Sequence, residues 1–208
     1  MSSEIFVYKM TTDNGGAPCV TDNLLSLCIC KPRIRKSAKV GDWIIGLGGK
    51  SISELRGRLI YLAKVTEVAQ GNKYYGNSYA RRPDCIYKLA GDRYEWRKTA
   101  KYHSANNLHQ DLGSYPEYDK SICLLSNEFA YFGSNDKPSI ASINDIYLGL
   151  PRDFKVNHDG NVNLKLSAFI DDIVSTFGLG IHGLPTHAQT SLLCSESEGE
   201  VLQCSKTC

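Results

Sequence analysis

His103, Asn107 and Asp111 stand four residues apart, in a polar segment with little periodicity. On a helix they would share one face, and on a loop they could converge on one ligand. Histidine with aspartate supplies a general acid–base pair, and asparagine offers a paired donor and acceptor to a base edge. The competing reading is a polar loop capped by its own side chains. A second candidate group opens at Cys30, where Lys31, Arg33, Arg35, Lys36 and Lys39 crowd around Pro32. Lys31 and Arg35, four apart, suit phosphate, because a guanidinium can grip two oxygens at once. Charge runs of this kind are otherwise solvated faces. Trp43 follows, and an indole stacked on a base is worth ~1–3 kcal/mol in single-strand binders. A core tryptophan is its alternative. Gly46 interrupts the strand that Trp43 begins, which marks a bulge or a close approach of backbone to something else. Arg82, Ser126, Tyr131 and Asp13 are weaker polar candidates. Trp96 and the group Tyr74, Tyr75 and Tyr79 are further stacking candidates. His182 and His187 show no partner in the sequence and read as surface residues.

The elements that must position these groups are mostly strands. Glu4 to Met10 alternates, and Leu24 to Cys30 is a short apolar run too brief for a helix. Gly41-Asp42 turns the chain into Trp43-Ile44-Ile45, and Arg58 to Val68 returns as a long strand. Cys85 to Leu89 and Arg93 to Lys98 flank Gly91-Asp92, a hairpin signal. Ser121 to Ser126 is a buried strand, and Phe129 to Gly133 follows it. The one clear helix has Leu166, Phe169, Ile170, Ile173, Val174 and Phe177 on a single apolar face, stopped by Gly178 and Gly180. Many short strands with one amphipathic helix give an α+β or mostly-β barrel as the expected class. Residues 1–180 are expected to form one domain, and residues 181–208 a polar, flexible tail.

Composition excludes several functions. The chain has 208 residues and a net charge of +2, from 24 cations against 22 anions. That balance lacks the basic stripe of a duplex binder, and the local cluster after Cys30 favours a small anion or a few phosphates. No stretch approaches the ~20 apolar residues of a membrane span, and the N-terminus lacks a signal peptide's pattern. A cytoplasmic location, no membrane partner and reduced thiols for the eight cysteines are therefore expected. Cys28, Cys30 and Cys123 read as small core residues. Cys28-x-Cys30 has no second pair at zinc-site spacing, so neither a metal nor any cofactor is expected. No Walker loop, HExxH or GxSxG is present, and no GxGxxG follows a strand.

Several blocks together carry a resemblance. They are Tyr8 with Asp13-Asn14-Gly15 and Ala17-Pro18, then Cys30-Lys31-Pro32 with Ile34-Arg35, and Gly41-Asp42-Trp43-Ile44 with Gly46. They continue with Gly57-Arg58-Leu59, Arg82-Pro83, His103 with Asn107 and Asp111, Leu125-Ser126 and Phe129 with Tyr131-Phe132-Gly133. In order and spacing they resemble the second type of nucleotide-modification-associated domain, within the PUA-like superfamily of ASCH, EVE and YTH domains. The resemblance spans about residues 5 to 135. It implies a small mixed β-barrel with peripheral helices that holds a nucleotide or a modified base in an aromatic- and cation-lined pocket. It also implies a setting in DNA-base modification or phage and bacterial defence. Lys31, Arg35 and Arg82 would then take phosphate, Trp43 would stack, and Asn107 with Ser126 would read the base. Gly46, His103 and Tyr131 complete the expected ligand-binding set. Two alternatives stay open: an enzyme using His103 and Asp111 as its acid–base pair, and a sponge that sequesters a signalling nucleotide. Nucleotide or nucleobase, free or within DNA, is the expected partner, and a homo-oligomer is compatible with the sequence.

Overall fold

The structure, a computed structural model, describes residues 3–50, 56–76 and 79–188, with the backbone of 196–197 and 200–201. Its centre is a six-stranded sheet. β1 (Ile5–Met10) lies parallel to β4 (Trp43–Gly48), which pairs antiparallel with β5 (Leu59–Lys64). β10 (Glu128–Tyr131) continues the sheet beside β5, and the two-residue strands β11 (Phe154–Lys155) and β12 (Gly180–Ile181) are its edges. Alternation along these strands sends side chains to opposite faces. Val7, Ile45 and Leu62 face α5 (Gly160–Phe177), whose Leu166, Phe169, Ile170 and Ile173 are buried against them with Ile146 and Tyr147 of the short helix α4 (Asn144–Leu148). Asp159 caps this helix by accepting from Val162 N at 2.9 Å, and Gly178, at φ 78°, ends it. The expected apolar face is the one that packs.

Phe6, Tyr8, Ile44 and Tyr61 leave the other face of that sheet. They meet a four-stranded sheet of β2 (Cys19–Thr21), β3 (Leu24–Leu27), β9 (Ile122–Ser126) and β6 (Glu67–Gln70), in the order β2-β3-β9-β6. The outer face of this second sheet is covered by a tyrosine-rich layer: Tyr74 of α2 (Gly71–Tyr74), Tyr75, and Tyr87 and Tyr94 of the hairpin β7 (Tyr87–Ala90) and β8 (Arg93–Trp96).

Three expectations are corrected. The sheets do not close into a barrel: each keeps two edges, and strands and helices are mixed in open layers. The long return strand is two strands, because the chain changes sheets after Lys64. Val65 N still donates to Asp42 O at 2.8 Å, while Thr66 N already donates to Leu125 O across the second sheet. The strand from Leu24 stops at Leu27, and the basic turn becomes the short helix α1 (Pro32–Ser37), with proline in its first turn, where its missing N–H costs nothing. Beyond residue 180, β12 pairs with β10, and His187 N donates to Asp13 O at 2.8 Å, so residues up to 187 are bonded to the body. Cys194, Cys204 and Cys208 lie outside the described residues. Among the described residues no helix is long and apolar enough to cross a membrane, and no group of His, Cys, Asp and Glu could hold a metal ion.

Candidate active site

The connection from β3 to α1 is short and bent. Cys30 and Lys31 both take left-handed backbone angles, φ 57° and 42°, which non-glycine residues avoid at a cost of order 1–3 kcal/mol. Two groups hold the bend. The Asp111 Oδ1 carboxylate accepts from Cys30 N at 3.0 Å, and Arg35 Nε donates to Cys30 O at 2.7 Å. Asp111 belongs to α3 (Leu108–Leu112), which continues a 3-10 turn over Ala105–Asn107. Ser104 and Asn107 cap that turn reciprocally, so the orientation of α3 is set locally. His103, just before the cap, is also left-handed at φ 53°.

These elements bring three side chains into line. The His103 ring meets Asp111 Oδ2 through Nδ1 at 2.5 Å, and its Nε2 lies 3.3 Å from the Cys30 sulfur. Tyr87 donates its hydroxyl to the same Oδ2 at 2.7 Å. Burial alone would raise the Asp111 carboxyl, but the hydrogen bond and charge of His103, with help from Tyr87 and Arg35, outweigh it and hold the group below its usual range. An ionised Asp111 fixes the proton on Nδ1 and turns Nε2 toward the thiol. Cys30 is half-buried and carries its sulfur as a thiol. The line is therefore carboxylate, imidazole, thiol.

It ends at a small cleft, with a cavity of about 30 Å³, open on one side. Tyr8, Asn14, Lys31 and Tyr102 form walls around Cys30 and His103. The Lys31 ammonium stands 5.3 Å from the centre of the Tyr8 ring. Gly16 lets Tyr102 lie against the loop, since a Cβ there would come within 2.9 Å of the ring. Burial pushes the Tyr102 hydroxyl up to about 12. A positive charge, the Tyr102 ring, an amide and an imidazole thus share one opening, with the buried Tyr8 beneath Lys31. The family model described as nucleotide modification associated domain 2 matches residues 2–192. The chain belongs to that family. No curated protein and no solved structure matches it.

Within this family member, the expected ligand residues divide sharply. Lys31 and His103 line the cleft, and Asp111 stands directly behind His103. Arg35, expected on phosphate, is 1% exposed and donates to the carbonyls of Cys30, Asp111, Lys120 and Ile122. Arg82 is buried too, donating to the carbonyls of Cys19, Thr21 and Leu24 and to Ser26 Oγ. Trp43 leaves the face of the central sheet that packs on α5, away from the cleft. Gly46 sits at a register shift between β4 and β5, and its missing Cβ makes room for the Tyr61 ring and the Met10 sulfur. Asn107 caps its own turn, and Ser126 Oγ donates to Glu128 O at 3.0 Å. Tyr131 donates to the buried Asp13 at 2.7 Å. His182 stacks on Phe132, and His187 Nδ1 accepts from Asp13 N at 3.2 Å, so neither is without a partner. Cys30 is the residue that sequence reasoning placed in the core. The signal available was its position beside the basic turn, five residues from the arginine that clamps it.

Proposed function

We propose that the protein binds a nucleotide or nucleobase in this cleft and performs proton-transfer chemistry on it within a nucleotide-modification system. The family supports the substrate class, and the cleft supplies matching groups. Lys31 suits a phosphate, Tyr102 suits the face of a base or sugar, and Asn14 suits a base edge. One observation carries the enzymatic reading: a buried Asp111–His103 pair whose second ring nitrogen reaches the cleft. Kinship with PUA-like base-binding domains, and work in phage or bacterial defence, belong to the same proposal.

The test is a panel of nucleotides, modified nucleosides and single-stranded DNA, offered to the native protein and to His103→Ala. Loss of general acid–base catalysis lowers turnover about 10²–10⁴-fold. Affinity should stay within about threefold, because Lys31 and Tyr102 remain. A panel left chemically intact but bound tightly and reversibly would reduce the function to sequestration. A panel neither bound nor changed would remove the nucleotide reading.

A further inference from the structure

We propose that Cys30 is the catalytic nucleophile of this site, forming a covalent thioester or thioimidate with an sp² carbon of a nucleotide or nucleobase derivative. Four observations converge on it. The thiol ends a carboxylate–imidazole–thiol line with contacts of 2.5 and 3.3 Å, the arrangement that activates a weak nucleophile through an oriented base. It sits in a strand-to-helix turn whose left-handed backbone aims the side chain out of the layer, at the floor of an open cleft. The strain there is held by Asp111 and Arg35, so the structure retains a costly conformation at the one residue that needs exposure. Cys28, two residues earlier, is fully buried and has its thiol pushed well up by burial, and Cys123 is buried beside it. Neither faces the cleft.

The surroundings select the kind of electrophile. Attack on a phosphate ester needs several cations around the non-bridging oxygens. Here Lys31 is the cation that lines the cleft, and Arg35 is bonded to carbonyls. A planar carbon that bears an amine, an ester or an amide needs far less charge.

The steps balance without any further reagent than water. The Cys30 proton passes to His103 Nε2, giving a thiolate beside an imidazolium that Asp111 holds. The thiolate pair forms the S–C bond, and the π pair of the carbon moves onto its oxygen or nitrogen. When that pair returns, the bond to the leaving group breaks, and the departing amine or alcohol takes the proton from Nε2. Water then gives a proton to Nε2 as its oxygen bonds to the same carbon. The C–S bond breaks last, and the thiolate retakes its proton. Net, the leaving group is exchanged for hydroxyl. Cys30 and His103 touch the reacting atoms, and Asp111 is a positioning residue.

The substrate class rests on the nucleotide reading, whereas the activated thiol does not, so one experiment separates them. The full chain is treated with iodoacetamide from pH 5 to 9, and each cysteine is followed by peptide mass spectrometry, with and without a nucleotide panel. A thiol that an oriented imidazole keeps partly ionised is alkylated faster at pH 6 than an ordinary one. Cys30 should therefore outrun Cys194, Cys204 and Cys208 at pH 6, and lose that lead in His103→Ala. In Asp111→Asn the labelling profile should move to higher pH. Rapid labelling that no nucleotide slows keeps the nucleophile and removes the nucleotide substrate. Labelling no faster than the other thiols at any pH, with turnover retained in Cys30→Ser, overturns the proposal.

Discussion

Two of the buried carboxylates among the described residues, Asp84 and Asp111, are built from nearly the same parts. Asp84 accepts from Ser26 Oγ at 2.6 Å and from Tyr74 at 2.7 Å, with Arg82 Nε 3.5 Å away. Asp111 accepts from Cys30 N and Tyr87, with His103 at 2.5 Å and Arg35 bonded to its backbone carbonyl. Each is essentially unexposed, and each has a tyrosine hydroxyl and a nitrogen base beside it. They differ in where the chain of contacts leads. Around Asp84 every neighbour points back into the β2–β3 hairpin, so the cluster closes on itself and fixes structure. Around Asp111 the imidazole passes the contact on to a thiol at an opening. A buried polar cluster becomes a candidate for chemistry when one end of it meets solvent or substrate, and not because of its composition.

The largest effect should come from breaking the closed cluster. Arg82→Met leaves Asp84 buried without its cation, and removing one partner of such a pair costs about 3–5 kcal/mol. Urea denaturation should show that loss, while the folded fraction still labels at Cys30 as the native protein does. A loss below about 1 kcal/mol would mean that Arg82 does not hold the hairpin, and the contrast would fail. The cation of the open site should behave in the opposite way. Lys31→Met is expected to leave unfolding free energy within about 1 kcal/mol of native, since one partly exposed cation contributes little to stability. It should weaken nucleotide binding roughly tenfold, the scale of one charge-assisted hydrogen bond. Equal affinity in that variant, measured by calorimetry, would take Lys31 out of the binding site.

The smallest effect is the most diagnostic. The Asp111 carboxyl lies below its unfolded value of about 4, so its contribution is complete above that pH and is lost as pH falls through the folded value. The Asp84 carboxyl is raised, chiefly by burial, which Arg82, Ser26 and Tyr74 only partly offset. Its contribution is complete below about 4 and is lost as pH rises through the folded value. Stability difference curves for Asp111→Asn and Asp84→Asn, taken from pH 3 to 8, should therefore slope in opposite senses. Parallel curves would show that the two carboxylates share one environment after all.

Much of the scaffold is legible in the sequence. The apolar face of α5, the Gly91-Asp92 hairpin and the strands at Ile5, Trp43 and Ile122 follow from local periodicity and turn chemistry, which act over a few residues. The absence of a closed barrel was not legible, because closure depends on which edges meet, and the switch of sheets at Val65–Thr66 turns on bonds to Asp42 and Leu125 far along the chain. Among the site residues, Lys31, His103 and Asp111 stood out by type and spacing. Arg35 and Arg82 carried the same signal of positive charge, yet the structure turns both inward. A guanidinium in sequence looks the same whether phosphate or a set of distant carbonyls awaits it.

By itself, then, the sequence determined the family, the strand-rich layers with their one amphipathic helix, and the presence of a histidine and an aspartate eight residues apart that could exchange protons. Only the tertiary structure decided that Cys30 joins them. It lies 73 positions from His103 and 81 from Asp111. No local pattern encodes contacts of that range. They arise when burial of the Tyr75–Tyr87 layer, which includes Leu112, holds α3 beside α1, where the carboxylate of Asp111 accepts from the backbone N–H of Cys30.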